Sequence, residues 1–114
     1  MYHQGDIIWV DLNPAKGSEM KKKRPCLIVS NDNYNHFFNT VIVLPISSSP
    51  KYHDDPKYQQ SPFLEEIKGM NIHGTVLLQH VRAVNLKARS DGKVVDSVGL
   101  ATLNSIVERL KKFL

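Results

Sequence analysis

The hydrophobic positions form dense runs in the first half of the chain and a spaced stripe at its end. The runs at 6–12, 24–31 and 40–46 are rich in β-branched residues, a composition typical of strands. Both faces of these runs are apolar, as expected when a curled sheet is covered on both sides. Weaker strand patterns lie at 62–67, 74–84 and 93–95. From residue 97 onward the spacing changes to steps of three and four residues, the stripe of an amphipathic helix, through Leu100, Leu103, Val107, Leu110 and Leu114.

The segments between these patterns are polar. Residues 15–23 form a basic loop, and 32–38 form a short helical turn that we expect Asp32 to cap. Residues 47–61 show no period and predict a long exposed loop, 85–92 can hold a helical turn, and Asp96 or Ser97 can cap the final helix. Since 114 residues suit one domain, we predict a single domain, 1–114, built as a small antiparallel β-barrel closed by a C-terminal helix.

Composition narrows the function classes only partly. The formal charge of +4 and the pI near 9.3 favour a polyanionic partner, although such basicity is common elsewhere. The single cysteine, Cys26, lies in an apolar run, which predicts a buried structural thiol and argues against a disulfide or a cysteine-based zinc site. No metal-ligand spacing and no cofactor motif is present. The N-terminus has no signal-peptide pattern, and no apolar stretch reaches membrane-spanning length. We therefore expect a cytoplasmic protein that does not bind a membrane, and we expect no cofactor.

The segment 16–25 is the most informative part of the sequence. It carries five cations and one carboxylate on a loop that ends at the first residue of a strand: Lys16, Lys21, Lys22, Lys23, Arg24 and Glu19. Consecutive cations repel one another, and a polyanion beside them relieves that repulsion. A solvated loop that merely aids solubility is the alternative interpretation.

Arg24 and Ser47 stand at the ends of two predicted strands. Arg24 begins a strand, so its planar guanidinium would be held rigidly enough to donate to two phosphate oxygens. Ser47 follows the strand at 40–46, and strand ends of a barrel face a common rim. A hydroxyl there could donate to the same phosphate, although Ser47 could also simply begin a polar loop. His80 lies in a strand-like run and could serve acid–base chemistry, with a structural histidine as the alternative.

These residues resemble the MazF/PemK-type toxins of type II toxin–antitoxin systems. The likeness rests on the ordered combination of 5–14 (GDIIWVDLNP), 16–19 (KGSE) and Arg24-Pro25. It continues through 27–31, the strand ending at Ser47, 82–85 and the C-terminal helix, and so spans nearly the whole chain. Any single piece of this pattern would be weak.

The resemblance implies a CcdB/MazF-like barrel, a homodimer, and metal-independent, sequence-specific cleavage of single-stranded RNA, including mRNA. The implied products carry a 2′,3′-cyclic phosphate and a 5′-hydroxyl. It also implies a cognate acidic antitoxin of the MazE/PemI type whose tail occupies the RNA groove. Arg24 matches the family's catalytic arginine, Glu19 its loop glutamate, and Ser47 a catalytic position that is usually threonine. The RNA-binding residues that we predict are Asn13, Lys16, Gly17, Ser18, Lys21, Lys22, Lys23, Ser48, Gln79 and His80.

Two departures from the family pattern affect the mechanism. Kid-like members use an acidic residue with an arginine two positions earlier, whereas this chain has Gln79 and Leu77 there, so that acid–base scheme does not transfer. The basic loop is also richer in lysine than in relatives. Two alternatives stay open: a gyrase-poisoning toxin of the same fold and a non-catalytic nucleic-acid-binding barrel. The gyrase-poisoning relatives depend on a tryptophan near the C-terminus, and this chain has none there.

Overall fold

Strand β3 is the centre of the sheet, because three other strands pair with different parts of it. The computed structural model describes residues 2–12 and 23–114. Within them the strands are β1 (Asp6–Asp11), β2 (Lys23–Ile28), β3 (Thr40–Ser47), β4 (Leu64–Lys68), β5 (His73–Leu77), β6 (Arg82–Asn85) and β7 (Val94–Ser97). The helices are α1 (Asp32–Phe37), α2 (Lys51–Asp54), α3 (Pro56–Gln59), α4 (Leu86–Arg89) and α5 (Leu100–Phe113), with a 3-10 turn at Leu78–His80.

The sheet order is β4-β5-β3-β2-β1-β7, with β6 also on β3, and the pairings are antiparallel. Residues 40–43 of β3 pair with β6, residues 43–45 with β2 and residues 46–47 with β5. Such a change of partners along one strand curls the sheet. The predicted fold class is confirmed as a half-barrel of antiparallel strands with a C-terminal helix.

Two apolar clusters occupy the two faces of this curled sheet. One contains Ile7 and Leu27 and is covered by Ile106 of α5, and the other contains Ile8 and Cys26. Successive residues of β1 and β2 therefore point to opposite clusters, as the pleat requires. Burial on both sides explains why these strands lack the polar alternation of a half-exposed sheet, as predicted.

Helix α5 differs in detail from the predicted stripe. Its buried residues are Leu103, Ile106 and Leu110, whereas Leu100 and Leu114 are 73% and 80% exposed. Ile106 is buried where the stripe predicted Val107, because the helix packs on a single narrow face. The predicted caps Asp96 and Ser97 are wrong, since both belong to β7 and the helix begins after Gly99 without a side-chain cap.

The cap of α1 is also one residue away from the prediction. Asn31, not Asp32, is the N-cap, and its Oδ1 accepts a hydrogen bond of 2.9 Å from the Tyr34 N–H. The Asp32 carboxylate instead accepts from the Gln4 N–H and pairs with His3, each at 3.0 Å. These contacts tie the N-terminal segment to the start of α1.

The predicted strand at 74–84 is wrong as one continuous element. It is divided into β5 and β6 by the 3-10 turn, because β5 must reach residues 46–47 of β3 while β6 pairs with residues 40–43. The predicted loop at 47–61 contains α2 and α3, and Asp55 caps α3 by accepting from the Lys57 N–H. In the described residues no helix is long and apolar enough to cross a membrane.

Candidate active site

A row of polar side chains crosses the sheet where β2, β3, β5 and β4 lie side by side. Ser47 pairs with Thr75, and Thr75 pairs with Glu66 on the next strand. On the other side, the pairing of β2 with β3 ends at Cys26 and Pro45, and the same register extended by two residues would set Arg24 across from Ser47. Directly opposed residues of antiparallel strands project from the same face, with strands about 5 Å apart. We refer to Arg24, Ser47, Thr75 and Glu66 as the polar row.

Arg24 lies at one end of this row and is only partly exposed. Its backbone is fixed by pairing with Val10 of β1, so the guanidinium has a rigid base, as predicted from its place at the root of a strand. The Nε atom is buried and, among the described residues, makes no hydrogen bond. A buried N–H without a partner costs free energy, and an incoming phosphate oxygen could satisfy it.

The Arg24 residue borders a cavity of about 400 Å³ at the strand ends. Lys23, which points to the opposite face of β2 from Arg24, adds a cation to the lining, Ser48 a hydroxyl, and Trp9 an aromatic ring that is 41% exposed. The full lining is Trp9, Lys23, Arg24, Pro25, Ile46, Ser48, Asn71, Ile72 and His73. A cation, a hydroxyl and an exposed ring in one cavity suit a nucleotide, which presents both phosphate and base.

Ser47 has a hydroxyl that is already oriented. The residue is buried, and its Oγ accepts a hydrogen bond of 3.1 Å from the Ser49 N–H. With that lone pair occupied, the hydroxyl proton can be donated elsewhere. Ser47 lines a second cavity of about 330 Å³, and this cavity shares Ser48 and His73 with the Arg24 cavity. The structure therefore brings the strand ends of Arg24 and Ser47 to one groove.

The buried thiol of Cys26 lies beneath this groove and takes no part in its chemistry. Burial raises the pKa of Cys26 to about 12, although the positive charges of Arg82 and Arg24 act in the opposite direction. At neutral pH the group is a thiol, which is not a nucleophile. The prediction of a buried structural cysteine is confirmed.

Asp96 supports the cavity wall from outside the groove. Its Oδ2 accepts hydrogen bonds of 2.8 and 2.9 Å from the N–H groups of Asn71 and Ile72. Burial raises the pKa of this carboxyl, but backbone N–H donors from Asn71, Ile72 and Ser97 outweigh it and leave the pKa below the ordinary 3.8. The turn that carries Asn71 and Ile72 into the Arg24 cavity is thus held by a charge-assisted bond pair.

The other predicted site residues fall into two groups. Asn13, Lys16, Gly17, Ser18, Glu19, Lys21 and Lys22 lie outside the described residues. Gln79 and His80 are exposed on the 3-10 turn that follows the C-terminal end of β5. Ser47 pairs with Thr75, nearer the start of that strand. Neither Gln79 nor His80 lines the two cavities of the groove, and their role in RNA binding stays a prediction.

Sequence reasoning did not select Asn71, His73, Thr75 or Glu66. His73 begins β5 and lines both cavities, but this placement depends on strand register, which the sequence pattern left open. In 2–12 and 23–114, no three His, Cys, Asp or Glu side chains are grouped closely enough to hold a metal ion.

Comparison with known proteins gives consistent matches over most of the chain. A family model described as "PemK-like, MazF-like toxin of type II toxin-antitoxin system" matches residues 3–114. The endoribonuclease toxin MazF of Escherichia coli (strain K12) is 30% identical over 89 residues, which cover 78% of this chain and 73% of that protein. Endoribonuclease PemK of Escherichia coli is 28% identical over 113 residues, covering 97% and 80%.

Solved structures share the fold at low sequence identity. The crystal structure of MazF from Deinococcus radiodurans has a TM-score of 0.77 at 20% identity, covering 97% of this chain and 94% of that one. An endoribonuclease in complex with its cognate antitoxin, from mycobacterial species, has a TM-score of 0.73 at 18% identity, covering 98% and 93%. The half-barrel and its C-terminal helix are therefore common to all three.

Proposed function

The chain is a member of the PemK/MazF family of endoribonuclease toxins, and we propose that it cleaves single-stranded mRNA at specific sequences in the groove of the polar row. We place the reaction in this groove because of the position of Arg24. Its buried Nε has no partner among the described residues. Arg24 borders a cavity of nucleotide size, and the β2–β3 register, extended by two residues beyond Cys26 and Pro45, would set it across from Ser47.

The proposed reaction needs no water and no metal ion. The ribose 2′-oxygen attacks the adjacent phosphorus, the new P–O2′ bond forms, and the bond from phosphorus to the 5′-oxygen breaks. The 2′-hydroxyl proton passes to a base, and the leaving 5′-oxygen gains a proton. The products are a 2′,3′-cyclic phosphate and a 5′-hydroxyl. Negative charge builds on the non-bridging oxygens, and fixed donors stabilise it.

Arg24 and Ser47 supply those donors in our proposal. The Arg24 guanidinium stabilises the phosphorane and protonates the leaving oxygen, while the Ser47 hydroxyl donates to a non-bridging oxygen. Glu19, which lies outside the described residues, would orient Arg24 or accept the 2′-proton. Lys16, Lys21, Lys22 and Lys23 would attract and hold the RNA backbone.

A cognate acidic antitoxin is the second partner that we propose. A structural relative is described in complex with its cognate antitoxin, and the groove presents Lys23 and Arg24 to an acidic segment. We also propose a homodimer, supported by exposed apolar side chains at Phe63, Phe113 and Leu114. The site of action would be the cytoplasm, which holds the proposed mRNA substrate.

The proposal is tested by mapping cleavage ends on a long defined RNA in excess EDTA. Arg24→Ala is expected to fold normally and to lose cleavage by at least about 100-fold. Arg24→Lys keeps the charge but not the planar fork, and should recover little activity. Lys87→Ala removes an exposed cation on α4, outside the groove, and is the charge-matched control.

Undiminished cleavage by Arg24→Ala would remove this residue from the mechanism, and cleavage abolished by EDTA would refute metal independence. RNA recovered intact from the unmodified protein, with salt-dependent binding, would favour a non-catalytic barrel. A gyrase cleavage-complex assay tests the remaining alternative. The relatives are named endoribonucleases, and the single tryptophan, Trp9, is far from the C-terminus.

A further inference from the structure

The end of the polar row opposite Arg24 opens into a third cavity, of about 240 Å³, beneath α2 and α3. Glu66 and Thr75 form its floor, and both also line the Ser47 cavity. The remaining lining residues are Tyr52, His53, Tyr58, Gln59 and Leu64. The three cavities therefore adjoin one another along the row, from Arg24 to Glu66. The third is smaller than the usual pocket for a drug-sized ligand, which suits a single ring system.

The walls of this cavity are held in place by side-chain contacts. Tyr52 and Tyr58 pack edge to face with ring centroids 5.0 Å apart. Gln59 Nε2 donates to the His53 carbonyl at 3.1 Å, and His53 Nδ1 lies 2.5 Å from Glu66 Oε2. These contacts link α3 to α2 and α2 to β4, so the cavity is preformed.

Cations accompany the two rings. Lys51 Nζ lies 4.9 Å from the Tyr52 ring centroid, and Lys57 Nζ lies 4.9 Å from that of Tyr58. Both lysines are exposed, so their ammonium groups remain available to a phosphate. Aromatic rings that can stack on a base, with cations beside them that can follow the backbone, are the usual elements of single-strand recognition.

Glu66 gives the cavity chemical selectivity. Its Oε2 is engaged by His53, whereas Oε1 forms an exposed salt bridge of 3.9 Å with Lys68 Nζ, a distance too long for a hydrogen bond, and so can still accept one. An ionised carboxylate is purely an acceptor. A base that turns an amino group toward Oε1 donates a hydrogen bond to it. Uracil carries a carbonyl oxygen at the equivalent position, and the negative carboxylate repels that oxygen.

We propose that this cavity binds one nucleobase beside the scissile phosphate and prefers bases with an exocyclic amino group to uracil. The proposal rests on the endoribonuclease function argued above and adds a specificity-determining subsite to it. Glu66 reads the amino group, and Tyr52 and Tyr58 hold the ring. The subsite is separated from Arg24 by Ser47 and Thr75, about three strand spacings across the sheet.

The first test compares cleavage sites on one long RNA between the unmodified protein, Glu66→Gln and Glu108→Gln. Glutamine can turn its amide N–H toward a carbonyl, so Glu66→Gln should admit uracil at one position near the cut, about tenfold more often. Glu108→Gln, an exposed carboxylate on α5, should leave the cleavage motif unchanged. An unchanged motif in Glu66→Gln, or equal loss of cleavage at all sites, would overturn the proposal.

The second test measures binding without cleavage. Oligonucleotides with a 2′-deoxy position at the cut site and either cytosine or uracil at the adjacent positions are titrated by fluorescence anisotropy. We expect the cytosine form to bind about tenfold more tightly, and Glu66→Gln to abolish the difference. Tyr58→Ala should weaken both forms about tenfold, with Phe37→Ala, an exposed ring on α1, as the control. Equal binding of the two forms by the unmodified protein would refute the subsite.

These two readouts separate the inference from the function on which it rests. Selective binding with no cleavage would refute the endoribonuclease function and keep the base subsite. Cleavage with no selectivity against uracil at any adjacent position would refute the subsite and keep the endoribonuclease function.

Discussion

The Arg109 guanidinium on α5 donates a hydrogen bond to the Glu65 carboxylate on β4. The same guanidinium donates to the carbonyl oxygens of Pro62 and Leu64, at 3.3 and 3.0 Å. The Arg109 side chain is 19% exposed and that of Glu65 is 31% exposed, so water screens this pair only partly. One side chain thus fastens the C-terminal helix to the strand that carries Glu66.

We predict that Arg109→Ala lowers the free energy of unfolding by about 2 kcal/mol, because it leaves Glu65 and two carbonyl groups without their donor. Urea unfolding followed by circular dichroism measures the change. Lys111→Ala on the same helix is the control, since its pair with Glu108 is exposed and should contribute at most about 0.5 kcal/mol. Equal losses in the two variants would show that Arg109 does not fasten α5 to β4.

Asp96 should make stability depend on acid pH. Its carboxyl has a lowered pKa in the folded protein, so it stabilises the fold fully above the unfolded-state value near 3.8. That contribution is lost as the pH falls through the lower folded-state pKa. Asp96→Asn should therefore be less stable than the unmodified protein at pH 6, with the difference shrinking below about pH 4. A difference that stays constant from pH 6 to pH 2 would contradict the assignment.

Arg24 could be placed in the site from the sequence, whereas Glu66 could not. The position of Arg24 at the start of a strand, and that of Ser47 at the end of another, follow from the hydrophobic runs and adjoining polar residues. Glu66 could not be placed in this way, because its alignment with Ser47 depends on the register of β5 between them. That register is fixed by tertiary pairing, including the break of 74–84 into two strands, and not by local pattern.

The short helices show a different limit. Asp55-Pro56 is a start signal for a helix, with Asp55 as cap and Pro56 at the first position, yet α2 and α3 have four residues each. A hydrophobic period cannot be detected over so few residues. Contacts such as His53 with Glu66 hold these helices in place, and these are long-range contacts that no local pattern reveals.

Ser47 offers a direct test of the proposed phosphate donors. Ser47→Ala removes the hydroxyl and should reduce kcat by about 100-fold, with little change in KM, because the bond to a non-bridging oxygen strengthens as charge develops. Ser47→Thr keeps the hydroxyl and should retain most activity. Initial cleavage rates on a short RNA measure both variants. A Ser47→Ala enzyme with normal kcat would exclude this hydroxyl from the transition state.

His73 and His80 can be distinguished by their positions relative to the groove. His73 lines both the Arg24 cavity and the Ser47 cavity, whereas His80 is on the 3-10 turn outside them. We therefore predict that His73→Ala raises the KM for RNA several-fold, the loss expected for one hydrogen bond or ring contact. His80→Ala should change KM less and leave the pH–rate profile as it was. The contrary result is a His80→Ala variant that loses one limb of a bell-shaped pH–rate profile. That result would mean that a histidine outside these cavities takes part in proton transfer. The RNA would then have to extend over the turn between β5 and β6.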